Sequence, residues 1–369
     1  MSLTTAVVGG GTVSDRHLDG LDKLAMTDLV AICDVDEDTV REKAREYDLK
    51  AYTDVEAMLA REDLDWVHLC TPVQTHLDLA TTIIEDGVPV QIEKPVTETV
   101  AEAEELARVA ERHDVPVSVV HNHNFDPAMR KARAAIERGD IGQIRSVDML
   151  YAGETWPDEV KRGAWAHELP GGEFEEGFPH PIYMLLNLGG YPRSADDIDA
   201  SSQRRREYDG EFAYDGVQFQ FTSEDDVLCS GTIVASEIPH KTLTIHGDDG
   251  SIVVDVVSQT VTTLDRDYQS SPVMRAMTNV DHVIDRVRGT LENVYDVVER
   301  KRDDSWEVER DAVPHYYQFD AEAAALIQDR DLPSPLEEAH WTIQIMETIR
   351  ESAVEDEPRV VAQRPMDQD

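Results

Sequence analysis

Three consecutive glycines, a carboxylate closing the next apolar run and a lysine wedged before a proline are the residues of this chain best placed to do chemistry. Gly9-Gly10-Gly11-Thr12-Val13-Ser14 follows a strand-like segment and opens a helical one. Read as G-x-G-x-x-G/A, the first two glycines are Gly9 and Gly11, and Ser14 stands at the last position. Glycine permits a tight turn and close approach to a pyrophosphate, and the helix N-terminus beyond Thr12 and Val13 attracts the same charge. The apolar run Leu29–Cys33 ends in Asp34. A carboxylate there suits the adenosine ribose hydroxyls and repels a 2′-phosphate, which favours NAD over NADP. The alternative is a plain glycine turn, and the strand, the helix and Asp34 around it argue against that.

Two further segments end apolar runs: Thr71-Pro72-Val73-Gln74-Thr75-His76 and Glu93-Lys94-Pro95. Carboxyl ends of parallel strands border the crevice where ligands bind, so these are cofactor-side positions by topology. Lys94 is one of only 8 lysines, and a lysine between a strand and a proline can reach a nicotinamide. Among the other histidines, His121-x-His123 could bind a metal with His167 or His180. A zinc site ordinarily adds a carboxylate or thiolate at matched spacing, so no metal is expected. His167 is the best alternative substrate contact, and Trp156 with Trp165 could form a sugar-stacking wall or core aromatics. Arg204-Arg205-Arg206 reads as a solvated strand balanced by carboxylates rather than a phosphate site.

The elements that must position these groups fall into two patterns. Through residue 122, apolar strands (Thr5–Gly9, Leu29–Cys33, Trp66–Cys70, Val88–Ile92, Val115–Val120) alternate with helical periods, which predicts a doubly wound parallel sheet. Beyond it, a helix at Pro127–Arg138 leads to alternating segments between Ile144 and Leu264, which predict an α+β domain with an open, mainly antiparallel sheet. The expected division is 1–122 and 123–369, with a helical insertion near 273–302. In that insertion Val273, Met277, Val280, Ile284, Val287, Leu291, Val294 and Val298 alternate four and three apart, a heptad stripe. The stripe suits packing on its own domain or a contact between subunits of a homodimer or homotetramer, and Gly289-Thr290 could split it.

Asp plus Glu number 76 against 34 Lys plus Arg, a net charge of −42, while 41% of residues are hydrophobic. The charge therefore sits on a folded surface, and it repels nucleic acid and anionic membranes. Such acidity with few lysines resembles proteins of organisms that hold molar salt in the cytoplasm, where a Debye length of about 3 Å screens the repulsion. No run approaches the roughly 18 apolar residues of a membrane span. The opening residues have no basic n-region, and three cysteines without CxxC spacing give no disulfide framework. A cytoplasmic protein is expected.

The order Gly9-Gly10-Gly11…His17, Asp34, Thr71-Pro72…His76, Glu93-Lys94-Pro95, Asn122…Phe125-Asp126-Pro127 and Gly139-Asp140-Ile141-Gly142 resembles the glucose–fructose oxidoreductase/inositol dehydrogenase/rhizopine-catabolism (Gfo/Idh/MocA) family. The resemblance implies a Rossmann domain joined to an open-sheet domain. It implies hydride transfer between NAD(P) and a carbinol carbon of a sugar, cyclitol or related polyol. The family's second-domain signature falls on Gly171–His180, with an acid four residues before a histidine. Glu176 stands where Asp is usual, Pro179 where Gly is usual and Val73 where Asn commonly follows Thr-Pro. By this resemblance His180 removes the hydroxyl proton, Lys94 hydrogen-bonds the same oxygen, and Glu176 orients His180 or binds a substrate hydroxyl. Asn122, Trp165 and His167 join them as substrate contacts. Histidine's ordinary pKa of about 6.5 suits a general base at neutral pH. Two other functions use the same scaffold: an NAD-retaining glycosidase and a non-catalytic dinucleotide sensor. Retention of Lys94 and His180 argues against the sensor.

Overall fold

The computed structural model describes residues 2–153, 155–161, 164–264, 271–302 and 313–355. Its first 119 residues alternate without exception: β1 (Leu3–Val8), α1 (Ser14–Lys23), β2 (Thr27–Cys33), α2 (Glu37–Glu46), β3 (Lys50–Tyr52), α3 (Val55–Leu59), β4 (Trp66–Leu69), α4 (His76–Glu85), β5 (Val90–Ile92), α5 (Val100–His113) and β6 (Val117–Val119). All six strands are parallel, in the order β3-β2-β1-β4-β5-β6. The order reverses between β1 and β4, which opens a crevice at their carboxyl ends. β4, β5 and β6 are buried at every position, as a sheet covered on both faces requires. Side chains fix the helix starts: Asp36 and Asp54 accept the N3 amides of α2 and α3, and Thr99 with Glu102 forms a capping box on α5.

After α6 (Pro127–Glu137), β7 (Ile144–Gly153) begins a seven-stranded sheet. Two short helices, α7 (Gly172–Glu176) and α8 (Pro179–Gly189), precede β8 (Asp199–Gln203), β9 (Gly216–Thr222), β10 (Leu228–Ala235), β11 (His240–Gly247), β12 (Ser251–Asp255) and β13 (Thr260–Leu264). The order is β13-β12-β11-β7-β10-β9-β8, antiparallel except where β10 pairs with β7. One face is apolar: Val147, Met149, Phe219, Leu243, Ile245 and Val254 alternate inward. α8, buried at every position but Asn187, packs against β7 and β10, with Gly189 against Cys229. The edge strand β8 was not legible, because Asp-Ala-Ser-Ser-Gln carries no apolar period.

α9 (Pro272–Arg302), α10 (Val313–Ile327) and α11 (Leu336–Glu355) complete the described chain. Two compact units result, Met1–Lys131 with Arg288–Ile343 and Ala132–Val287 with the residues from Gln344 onward. This differs from a contiguous division at residue 122, for a packing reason. Phe319 and Ala323 of α10 lie in the core formed by Leu3, Val7, Leu18, Leu21, Ile32 and Trp66. α10 itself escaped the sequence pattern because it buries His315, Gln318 and Glu322 among its apolar residues. α9 runs through Gly289-Thr290 without a break, so the possible split there does not occur, and Gly289 is buried. No described helix is long and apolar enough to cross a membrane. Cys33, Cys70 and Cys229 are buried thiols.

Candidate active site

β1 delivers the chain into the glycine turn at the reversal point of the sheet. Gly9 has φ +102°, and a Cβ there would lie 2.7 Å from the Cys70 carbonyl, so only glycine lets the ends of β1 and β4 come this close. A Cβ on Gly11 would meet nothing within 4 Å, leaving backbone open beside the N-terminus of α1. Ser14 replaces the last glycine without loss of the turn, because its buried hydroxyl donates to the Gly11 carbonyl at 2.6 Å. Asp34, just beyond β2, accepts from the Gly10 amide at 2.6 Å and the Asp36 amide at 2.8 Å, one on each oxygen. That fixes a carboxylate at the rim while a second lone pair on each oxygen remains for ribose hydroxyls. Exposed Gly11 and Thr12, half-buried Val13 and fixed Asp34 fit a dinucleotide of the NAD type.

Thr71-Pro72 and Glu93-Lys94-Pro95 close β4 and β5 and are tied to each other by His76. Its ring is 1% exposed, with Nε2 2.8 Å from the Thr71 carbonyl and Nδ1 3.1 and 3.2 Å from those of Pro95 and Val96. Burial lowers its pKa, against the raising effect of those carbonyls and of Glu93. Expected as a cofactor contact, His76 is instead a brace between two strand ends, since both ring nitrogens face main chain.

Lys94 is half-buried, and its amide donates to the Glu93 carboxylate at 3.0 Å. Glu93 is buried, and its other oxygen lies 3.0 Å from His17 Nε2 and 4.0 Å from His315 Nε2. His17 Nδ1 in turn meets His68 Nδ1 at 2.8 Å. Burial would raise the Glu93 pKa, but the hydrogen bond and charge of His17, with His315 and Lys94, bring it down to about 2. Burial holds His68 well below its ordinary value and takes His315 down to about 3. A fixed anion thus sits directly behind Lys94, with the neutral imidazoles of His68 and His315 in the same layer. His68 and His315 carried no sequence signal, since an imidazole in a strand or helix shows no period.

Beyond β6, Asn122 is buried, and its neighbours are committed to carboxylates. His121 Nδ1 lies 2.6 Å and Asn124 Nδ2 3.0 Å from Glu338 Oε1, while His123 Nδ1 lies 2.8 Å from Asp126. Among the described residues, no group of three or more His, Cys, Asp or Glu could hold a metal ion.

In the second unit, α7 ends at Glu176 and α8 begins at Pro179, yet the backbone stays right-handed helical through Gly177 and Phe178. The Phe178 and His180 amides bond back three residues, to Glu175 at 3.0 Å and Gly177 at 3.3 Å. Glu176 and His180 are both buried, 8% and 9% exposed. His180 Nδ1 lies 2.8 Å from the Tyr183 hydroxyl, one turn along α8. Glu175, which no sequence motif singles out, anchors this turn. Fully buried, it accepts from Arg350 Nε at 2.6 Å, the Tyr214 hydroxyl at 2.6 Å and the Gly171 amide at 2.8 Å. Burial and Glu175 push the Tyr214 phenol well above its usual pKa.

His167 is exposed, with Nε2 2.9 Å from the Glu159 carbonyl. The Trp156 ring lies under the Arg206 guanidinium at 3.7 Å, and the Trp165 side chain falls outside the described residues. The arginine run follows β8 rather than lying in a strand; Asp215 accepts the Arg205 and Arg206 amides. Lys94 belongs to the first unit and His180 to the second.

Residues 3–121 match the Gfo/Idh/MocA oxidoreductase family with its NAD-binding Rossmann fold, and residues 129–253 match the family's C-terminal domain. A 4-carboxy-2-hydroxymuconate-6-semialdehyde dehydrogenase from Sphingobium sp. is 31% identical over 39% of this chain and 46% of its own length. The match thus spans about half of that relative. Inositol 2-dehydrogenase from Rhizobium meliloti is 25% identical over 69% of this chain and 76% of its own. Levoglucosan dehydrogenase, solved with NADH and levoglucosan, shares the fold with a TM-score of 0.71 at 18% identity, covering 96% of this chain and 98% of that one. With both domain models matched across more than half its length, the chain belongs to the Gfo/Idh/MocA oxidoreductases and carries their NAD-binding domain.

Proposed function

We propose that the protein transfers hydride between NAD and a carbinol carbon of a sugar, cyclitol or related polyol. The observation that carries this reading is the pairing of the Gly9–Asp34 cradle with a lysine at the end of β5 backed by the buried Glu93 anion. The bound dinucleotide supplies the hydride acceptor. The chain's own groups handle the proton and its charge.

In this reading His180 takes the hydroxyl proton. If Nδ1 donates to the Tyr183 hydroxyl 2.8 Å away, Nε2 is left as the basic nitrogen for that proton. Lys94 stabilises the developing alkoxide, and Glu93 behind it holds the ammonium's carrier loop. Glu176, next to the Glu175 anchor, orients His180 or binds a substrate hydroxyl. Asn122, His167 and Trp165 are the remaining proposed substrate contacts. Gly9, Gly11, Thr12, Val13, Asp34, Thr71 and Pro72 contact the cofactor, with Glu93 and His76 setting the loops from behind. Relatives that act on inositol and levoglucosan support a polyhydroxylated substrate.

The test is purified protein with NAD and a panel of sugars, sugar acids and inositols at high salt. Net NADH formation with one class is expected. Glycoside cleavage without net NADH would assign the NAD-retaining glycosidase instead, and dinucleotide binding with neither reaction would leave a sensor. Asp34→Ala is expected to narrow the preference for NAD over NADP about tenfold or more, the size of one lost charge-assisted contact. Unchanged discrimination would remove Asp34 from the cofactor site.

A further inference from the structure

We infer that the apolar stripe of α9 pairs with the same stripe of a second copy of this chain, the two helices running antiparallel about a two-fold axis. Val273, Met277, Val280, Ile284, Val287, Leu291 and Val294 are 45–66% exposed, together with Val283 and Tyr295 on the flanks. Among the described residues, the stripe is left open rather than buried in its own domain. It runs for three heptads, about 32 Å along the helix.

The helix's own chain holds its other face. Asp285 accepts from the Thr263 amide of β13 at 3.3 Å, and Glu292, seven residues on, pairs with Lys131 at 2.5 Å. Gly289 on the same side is buried. With the stripe residues at heptad positions a and d, these contacts fall at b and f, the side turned away from a coiled-coil partner. The attachment therefore points the seam outward.

Charge selects the occupant. The chain carries −42, yet residues 272–302 hold six Lys or Arg and five Asp or Glu, a net of +1. Two copies can approach here without the repulsion that the rest of the surface imposes. Charge also selects the direction. Position e holds Asp281 and Arg288, whereas position g holds Ala276, Val283 and Thr290. Parallel helices set e against g, and no opposite charges would meet. Antiparallel helices set e against e. A two-fold axis between Ile284 and Val287 levels Met277 with Val294 of the second copy and brings Asp281 alongside Arg288. Such a pairing is isologous and closes as a dimer contact.

The test uses the full chain in molar salt. Light-scattering mass is measured for the wild type and for Ile284→Glu/Val287→Glu, whose sites are exposed, so circular dichroism should show an unchanged fold. The wild type is expected as an even-numbered oligomer and the double variant at half that mass. A monomeric wild type, or a mass unchanged by the variant, overturns the proposal and assigns the stripe to another occupant. Direction is read with Met277→Cys and Val294→Cys proteins and a short bismaleimide, the native thiols being buried. Crosslinks in the mixture but in neither protein alone support the antiparallel pair. Crosslinks within each single variant overturn it.

Discussion

Lys94 and His180 are held by different means, and the difference separates what a sequence can show from what it hides. Lys94 follows a parallel strand and is backed by a dense layer of buried polar groups, Glu93, His17, His68 and His315, in which one carboxylate faces several imidazoles. His180 sits in a chain of short helical turns, α7 into α8, whose anchor is the buried Glu175 carboxylate, bonded to Arg350, Tyr214 and the Gly171 amide. The first arrangement places a residue by sheet topology and then tunes it. The second places a residue through one buried carboxylate and its distant partners.

Breaking the comparison at its centre has the largest effect. If both ends do proton and charge chemistry, Lys94→Ala and His180→Ala each lower kcat by about two to four orders of magnitude while dinucleotide binding, followed by fluorescence titration, stays intact. Normal turnover in either variant would remove that residue from the site. Next comes the anchor. Glu175→Ala removes the carboxylate from Arg350, whose side chain is a quarter exposed, and strands the Tyr214 hydroxyl and Gly171 amide. The expected loss is about 3 kcal/mol in urea unfolding, with the second unit affected before the first. A loss under about 0.5 kcal/mol would mean that the turn stands without it.

The buried layer behind Lys94 predicts an acid-sensitive first unit. His315 has its pKa depressed to about 3, so it binds no proton while the unfolded chain does. Stability is complete above about 6.5 and falls as pH drops toward 3. Glu93, brought down to about 2, adds a loss below about 4.5. Glu322, raised to about 8 by burial, has the opposite sign and costs stability as pH rises from about 4.5 through 8. Each slope is capped at about 1.4 kcal/mol per pH unit. His315→Phe should flatten the acid limb and Glu322→Gln the alkaline limb of unfolding midpoints measured against pH; unaltered limbs would mean other groups titrate there. The smallest effect is Tyr183→Phe, expected to lower kcat about fivefold with KM unchanged, the worth of one orienting hydrogen bond. An unchanged kcat would leave the ring oriented by packing alone.

Gly9, Asp34 and Lys94 were legible because each marks a strand end, and strand ends carry a composition signal. The pairings of His68 with His17, His315 with Glu93 and Glu175 with Arg350 were not, because the partners lie between 51 and 222 residues apart. β3 and β8 were hidden as short or polar edge strands. The α9 heptads were legible as a period, but not which side of the helix its own chain would claim.

Burial, together with nearby carboxylates, pushes the thiols of Cys33 and Cys229 up to about 12, and that of Cys70 well above its ordinary value. Two of them lie in the first unit and one in the second. Reaction with an alkylating agent at neutral pH must then wait for local opening, and each labelling rate becomes a clock for its own unit. The chain carries built-in reporters that can time the two halves separately as salt is withdrawn.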